Sequence, residues 1–233
     1  MPYDTTNLVG MIDISTFCNA SCPQCHRTNQ ANIQEKQYWL KLIQVKLKEF
    51  QKRFPIKDLN RYREITFCGT WGDPMMAKDI HEICEYILQN SKTQIRINTN
   101  GGMRDEQFWW NFGALSYEYG SRIHVVFDID GVTEEQHTKY RRNVPLETVL
   151  NHMEAFSESL GSRCSVFTVV FKHNENDIEN IHKLAKDHGA TRACVCPSNR
   201  FNNKQTFKFY DGDKLEILEK SDKITKYYET DLL

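Results

Sequence analysis

Apolar positions along this chain alternate between two rhythms. Short apolar or alternating runs at 8–14, 63–67, 94–98, 123–129, 165–171 and 193–196 read as six strands. Between them the spacing turns helical. Trp39, Leu42, Ile43, Leu47, Phe50 and Phe54 predict a helix over 35–54 that Pro55 closes. Ile80, Ile83, Cys84, Ile87 and Leu88 form an i, i+3, i+4, i+7, i+8 stripe. Asp105 stands where an N-cap belongs, ahead of Phe108, Trp109, Phe112 and Leu115. Pro145 suits the first turn of a helix carrying Leu146, Val149, Leu150 and Met153. Asn176 with Glu179 reads as a capping pair for Ile178, Ile181, Leu184 and Ala185, with Gly189 as the stop. One more helix is expected at 214–219, in a polar tail rich in Lys and Asn.

Strand and helix alternate about every 30 residues after the second strand, which argues βαβ units and a parallel sheet. The chain of 233 residues fits one α/β domain at 1–200, with 201–233 as an extension that caps or flanks it. A net charge of −1 gives no global field for nucleic acid or membrane, and no apolar run approaches the ~20 residues of a membrane span. The first seven residues are polar and lack a signal-peptide core, so a cytoplasmic protein is expected. Eight cysteines are many for such a protein unless some bind metal, and a disulfide framework would need an export signal.

The cysteines supply the chemistry. Cys18, Cys22 and Cys25 form a C-x3-C-x2-C array directly after the first strand. Three thiolates so close can converge on one metal centre. Cubane iron–sulfur clusters normally take four, so three leave one iron open to another ligand. Structural zinc would want a fourth Cys or His, and His26, adjacent to Cys25, is awkwardly placed to be it. Gly72-Asp73-Pro74 follows the second strand, roughly 40 residues on.

With these two segments in place, the chain resembles the radical S-adenosylmethionine (SAM) superfamily, over roughly residues 13–201. The resemblance implies a partial (β/α)6 TIM-like barrel of parallel strands, with the chemistry at the strands' C-terminal ends. It implies a [4Fe–4S] cluster on Cys18, Cys22 and Cys25 whose open iron binds SAM. Cleavage of SAM would then yield a 5′-deoxyadenosyl radical that abstracts hydrogen from a substrate. Gly72 and Asp73 stand where the family holds the SAM ammonium. Asn98 and Asn100 lie at the end of strand three, facing the site. Asp128-Ile129-Asp130-Gly131 resembles the family's S-x-D-G segment, with Asp128 in place of Ser. Tyr140-Arg141-Arg142-Asn143 resembles the Y-R-x-N of the peptide-maturase-like group, where Arg141 would pair the SAM carboxylate; Asn174 is a second candidate for it. One departure is Gln24, where an aromatic residue often precedes the third cysteine.

Other residues carry less. Cys84 belongs to a helix's apolar stripe and reads as core. Cys194 and Cys196 share a strand face and, with Cys164, read as small buried residues remote from the radical site rather than as a second cluster. No cysteine follows Cys196 in the sequence, so the auxiliary-cluster extension of the peptide-maturing relatives is not expected. The expected function is radical chemistry on a small molecule, with nucleotides or nucleosides one class. Modification of a peptide or protein side chain is the alternative, and a non-catalytic metal-binding module a third. The expected partners are that substrate and an external electron donor of flavodoxin or ferredoxin type.

Overall fold

The computed structural model describes residues 7–160 and 162–232. Among these, seven strands form one sheet in the order β1-β2-β3-β4-β5-β6-β9. The first six run parallel and in chain order: β1 (Leu8–Ile12), β2 (Tyr62–Phe67), β3 (Gln94–Thr99), β4 (Ile123–Asp128), β5 (Cys164–Val170) and β6 (Ala190–Pro197). A sheet wound in one direction by successive crossovers curls into an open barrel, with helices outside and a strand-lined interior.

The crossover helices are α1 (Leu47–Arg53), α2 (Ile56–Leu59), α3 (Ile80–Asn90), α4 (Glu106–Glu118), α5 (Glu134–Thr138), α6 (Leu146–Glu158) and α7 (Ile178–Asp187). Alternate strand residues face them. Ile65, Phe67, Ile95, Ile97, Val125, Phe127, Val166 and Val195 are fully buried, together with Ile83, Ile87, Trp109, Phe112, Met153 and Phe156 from the helices. The intervening residues, among them Arg96, Asn98, Val126, Asp128, Phe167 and Cys196, turn toward the barrel interior and line its cavity. Asp105 caps α4 as expected, its carboxylate accepting from the Phe108 amide at 2.8 Å.

Three expectations about local structure fail for tertiary reasons. Only residues 47–53 of the predicted 35–54 helix are helical. Residues 35–46 instead run along the cysteine loop. Val45 N donates to Ile14 O, Thr16 N to Ile43 O and Gln37 N to Arg27 O. The helical stripe loses its burial accordingly, with Trp39 and Ile43 about half exposed. Residues 214–219 are a strand, β8 (Lys214–Glu219), antiparallel to β7 (Thr206–Asp211). Their hairpin turns on Gly212, whose φ of +61° suits a two-residue loop after Asp211. The helix α7 starts from Asp177 with no side-chain cap, because Asn176 receives the Lys223 ammonium instead.

The tail is bound to the barrel. β9 (Tyr228–Asp231) adds antiparallel to β6. Ile33 N donates to Tyr210 O, and Tyr210 N to Gln30 O, so the β7–β8 hairpin lies against the segment after the cysteines. Among the described residues, no helix is long and apolar enough to cross a membrane.

Candidate functional site

The three cysteines sit on a loop held by three other segments. Cys25 N closes a turn on Cys22 O at 3.0 Å. Asp73 N donates to Phe17 O at 2.7 Å, and Ser21 N to Arg142 O at 3.0 Å. Asn143 Nδ2 donates to Ser21 Oγ at 3.1 Å. The Y-R-x-N segment therefore clamps the cysteine loop through the Arg142 carbonyl and the Asn143 amide. Gln24 anchors the other side: its Oε1 accepts from Ser198 Oγ at 2.6 Å, and its carbonyl from Arg200 Nη1 at 2.9 Å. The residue that replaces the usual aromatic thus ties the loop to the segment after β6. Arg27, unmarked in the sequence, is buried, with Nε on Trp71 O and Nη2 on Thr16 O.

Gly72 fixes how closely these segments approach. A Cβ there would lie 2.5 Å from Ser15 O and 2.6 Å from Phe17 O, both backbone atoms that cannot swing aside. Gly72→Ala is expected to push the Gly72-Asp73-Pro74 turn off the cysteine loop. It should cut the iron retained per chain after anaerobic reconstitution to less than half. Wild-type iron content in this variant would show that the close approach is dispensable.

One cavity of about 370 Å3 at the C-terminal ends of the strands gathers most of the candidates. Its walls include Cys18, Cys22, Cys25, Gly72, Asp73, Asn98, Asn100, Asp128 and Arg141. Asp130 and Asn174 are not among them. Cys18 Sγ accepts from Ala20 N at 3.4 Å and from Asn100 Nδ2 at 3.5 Å, as a ligating thiolate would. Burial pushes the Cys18 thiol up to about 12 and raises Cys22 further. Thiolates there need a cationic metal centre close by. Among the described residues, no three Cys, His, Asp or Glu side chains stand together to chelate one ion. A single tetrahedral ion needs thiolates about 4 Å apart, whereas a cubane spreads them over separate irons. The donor set fits the cluster better than it fits zinc.

The acidic and basic candidates have partners of their own. The buried Asp73 carboxylate accepts from Met75 N at 2.9 Å, Asn100 N at 2.8 Å and Thr99 Oγ1 at 2.9 Å. It therefore joins the turn after β2 to the end of β3, and burial raises its pKa. Both of its oxygens accept hydrogen bonds from within the chain. Arg141 lies between two carboxylates, Nη1 on Asp128 Oδ2 at 2.8 Å and Nε on Asp130 Oδ2 at 2.6 Å. Burial raises Asp128 to about 7, opposed by Arg141 and reinforced by Asp130 and Asp73. Having Asp128 where Ser is usual gives Arg141 a partner within the chain, where the sequence suggests a free fork. Asp130 also takes the Val169 amide at 2.6 Å. Asn174 does not reach the site. Its Nδ2 donates to Asp130 O and Val169 O and its Oδ1 accepts from Phe171 N, which uses it up in backbone contacts.

The cavity also takes in residues that the sequence left aside. Arg96, Phe167, Val169, Cys68, Cys196 and Arg200 line it. Cys196 is thus in the cavity wall, contrary to the expectation that the C-x-C strand lies remote from the site. Cys194, two residues back on the same face, is buried below it, and Cys164 is buried with its thiol on Gly189 O. The period of two along each strand could have found these positions, once the face was known.

The Radical SAM superfamily model matches residues 12–185. A protein of Methanocaldococcus jannaschii described as a probable GTP 3′,8-cyclase is 24% identical over 91% of this chain and 67% of its own length. Among solved structures, Streptococcus suis SuiB bound to its precursor peptide SuiA superposes with a TM-score of 0.60 at 17% identity, over 82% of this chain and 39% of SuiB. The enzyme anSMEcpe with bound AdoMet gives 0.57 at 19% identity, over 78% of this chain and 48% of that one. The chain therefore spans less than half the length of these two structures. The family match runs from the end of β1 through most of α7 and takes in the whole cysteine loop. On that match the chain belongs to the radical SAM superfamily, whose enzymes use a [4Fe–4S] cluster and S-adenosylmethionine.

Proposed function

We propose that this enzyme cleaves SAM reductively and uses the resulting radical to take hydrogen from a small-molecule substrate, with nucleotide-like compounds the first class to test. The observation that carries the reading is the single cavity in which the three cysteines meet the polar strand ends. In this reading Cys18, Cys22 and Cys25 hold three irons of the cluster. The cluster, when bound, supplies the electron and the open iron that SAM chelates. The chain's own residues orient SAM. Carbonyls of the Gly72-Asp73-Pro74 turn, set by the Asp73 carboxylate, receive its ammonium. Asn98, Asn100 and Asp128 face it from β3 and β4. Arg141 sets the Asp128 carboxylate and stands beside the SAM carboxylate. Asp130 and Asn174 support this group from behind.

The described residues up to 200 form the catalytic barrel, and those from 201 to 232 flank it. Electrons come from a flavodoxin- or ferredoxin-type donor in the cytoplasm. The small-molecule reading draws support from the sequence likeness to the probable GTP cyclase, which runs over 91% of the chain. Modification of a peptide is the second reading. It is favoured by the fold likeness to SuiB, solved with its precursor peptide. The test is anaerobic reconstitution with SAM and dithionite, read for 5′-deoxyadenosine. Deuterated nucleotides and deuterated peptides are then offered separately. Label passing to 5′-deoxyadenosine from a nucleotide supports the first reading. Label passing only from peptides replaces it with the second.

A further inference from the structure

Six charged side chains line the cavity: Arg27, Asp73, Arg96, Asp128, Arg141 and Arg200. Four of them are already engaged within the chain. Arg27 spans two carbonyls, Asp73 has its three donors, and Asp128 and Arg141 hold each other. Arg200 lies at the exposed rim and gives Nη1 to the Gln24 carbonyl. Arg96 differs. It lies midway along β3, paired in register with Thr66 on one side and His124 on the other. Its Nε donates to Asn98 Oδ1 at 3.3 Å. The guanidinium also meets the Cys194 thiol, but it finds no oxygen acceptor other than Asn98, and no carboxylate oxygen comes within 4.0 Å of it, among the described residues.

The surroundings explain why nothing in the chain neutralises it. Glu64, the nearest acid on β2, has its carboxylate on Thr66 Oγ1 at 2.9 Å. Glu229 of β9 accepts from Tyr227 and forms a long ion pair with Arg192. His124 stays neutral: burial, helped by the Arg96 and Arg192 charges, lowers it to about 4. A half-buried guanidinium in a cavity wall, with no carboxylate paired to it, is a fork for a planar or tetrahedral oxyanion. Its position separates it from the cofactor end. Asn100, which touches Cys18, is four residues further along the chain, about 13 Å at strand rise.

We infer that Arg96 is a substrate-specificity residue that binds an oxyanion, phosphate or carboxylate, carried by the substrate. The inference rests on the proposed reading of the cavity as a radical SAM site and names the chemical class of its substrate. An anion held on Arg96 stands on the floor of the cavity. The rest of the molecule then rises toward the cysteine end, where hydrogen is taken.

The probes are labelled pyrophosphate in one arm and labelled succinate in the other. Each is measured by equilibrium dialysis against the cluster-loaded enzyme with SAM present. At least one is expected to bind saturably, and the arm that does so tells phosphate from carboxylate. Arg96→Gln should weaken that binding by about ten- to a hundredfold, and Arg96→Lys by less, since the charge stays and the fork is lost. Iron content, thermal midpoint and the SAM dissociation constant should stay at wild-type values in both variants. Absence of saturable binding in both arms would overturn the inference. So would binding that survives Arg96→Gln, or a SAM constant that weakens in step with the anion, which would assign Arg96 to the cofactor. Formation of 5′-deoxyadenosine on the same preparations separates the two levels. SAM cleavage without anion binding removes this inference alone. Anion binding lost in Arg96→Gln, on a wild-type enzyme that cleaves no SAM, leaves it standing and removes the proposed function.

Discussion

Cys18→Ala, Cys22→Ala or Cys25→Ala, each alone, is expected to abolish the visible absorbance of the reconstituted protein and its formation of 5′-deoxyadenosine. The expectation follows from ligand count. In the proposed reading three thiolates would hold three irons, and among the described residues no group of three His, Cys, Asp or Glu side chains stands ready to replace them. Water or an alanine methyl cannot take the place of a soft thiolate at comparable affinity. The three substitutions differ in what they leave behind. Cys22 is buried, so its loss opens a void in the loop. Cys18 is only partly buried and gives up the Ala20 and Asn100 contacts to its sulfur. Circular dichroism and a thermal midpoint near wild type for the apo variants would separate loss of the cluster from loss of the fold. A single variant with full iron content and turnover would refute the ligand assignment. A double variant, Cys194→Ala/Cys196→Ala, is expected to keep four irons per chain, about one cubane's worth.

The legible parts of this molecule are those set by local pattern or by covalent chemistry. Alternating strands and amphipathic helices around Ile83–Leu88 or Phe108–Leu115 depend on period and burial, and the fold has them where the pattern does. The cysteine array is legible because its spacing is itself the chemistry. What escaped depends on partners far along the chain. Trp39, Leu42 and Ile43 keep helical spacing, yet hydrogen bonds from Ile14 and Thr16 to Lys41, Ile43 and Val45 hold this segment out of a helix. The 206–219 hairpin did leave a signal, Asp211-Gly212 between alternating runs. The Lys-rich setting hid it. Site residues divide in the same way. Asn174 and Asp73 look like ligands in sequence because they are polar residues at strand ends. Their side chains also bond to backbone amides and carbonyls and, for Asp73, the Thr99 hydroxyl, which only the folded chain brings close. Arg96 and Cys196 look ordinary in sequence because their importance is a matter of which face of a strand turns inward.

Arg141→Ala should be the most damaging substitution outside the cysteines. Arg141 is the counter-ion of two buried carboxylates at once, Asp128 at 2.8 Å and Asp130 at 2.6 Å. Burial works against its charge, and the two carboxylates outweigh that and raise its pKa. Its guanidinium also lies 5.2 Å from the Tyr140 ring, in the segment whose next two residues clamp the cysteine loop. Removing one partner from a buried ion pair typically costs about 3–5 kcal/mol, because the charge left behind is uncompensated. Here two charges are left, and Asp128, already raised to about 7, would take up a proton near neutral pH. The variant should therefore unfold earlier and bind SAM more weakly. Its stability should fall further as pH rises, since the folded state holds a proton that the unfolded chain releases. The double variant Arg141→Gln/Asp128→Asn keeps much of the volume and removes one charge of each sign. It should recover part of the lost thermal midpoint and lose the Asp128 part of the pH slope. If Arg141→Ala melts at the wild-type temperature across pH 5–8, the triad contributes no net stability and Arg141 is held for SAM alone. If the double variant regains the melting temperature but not SAM affinity, the same arginine supports the fold through Asp128 and the cofactor through its remaining donors.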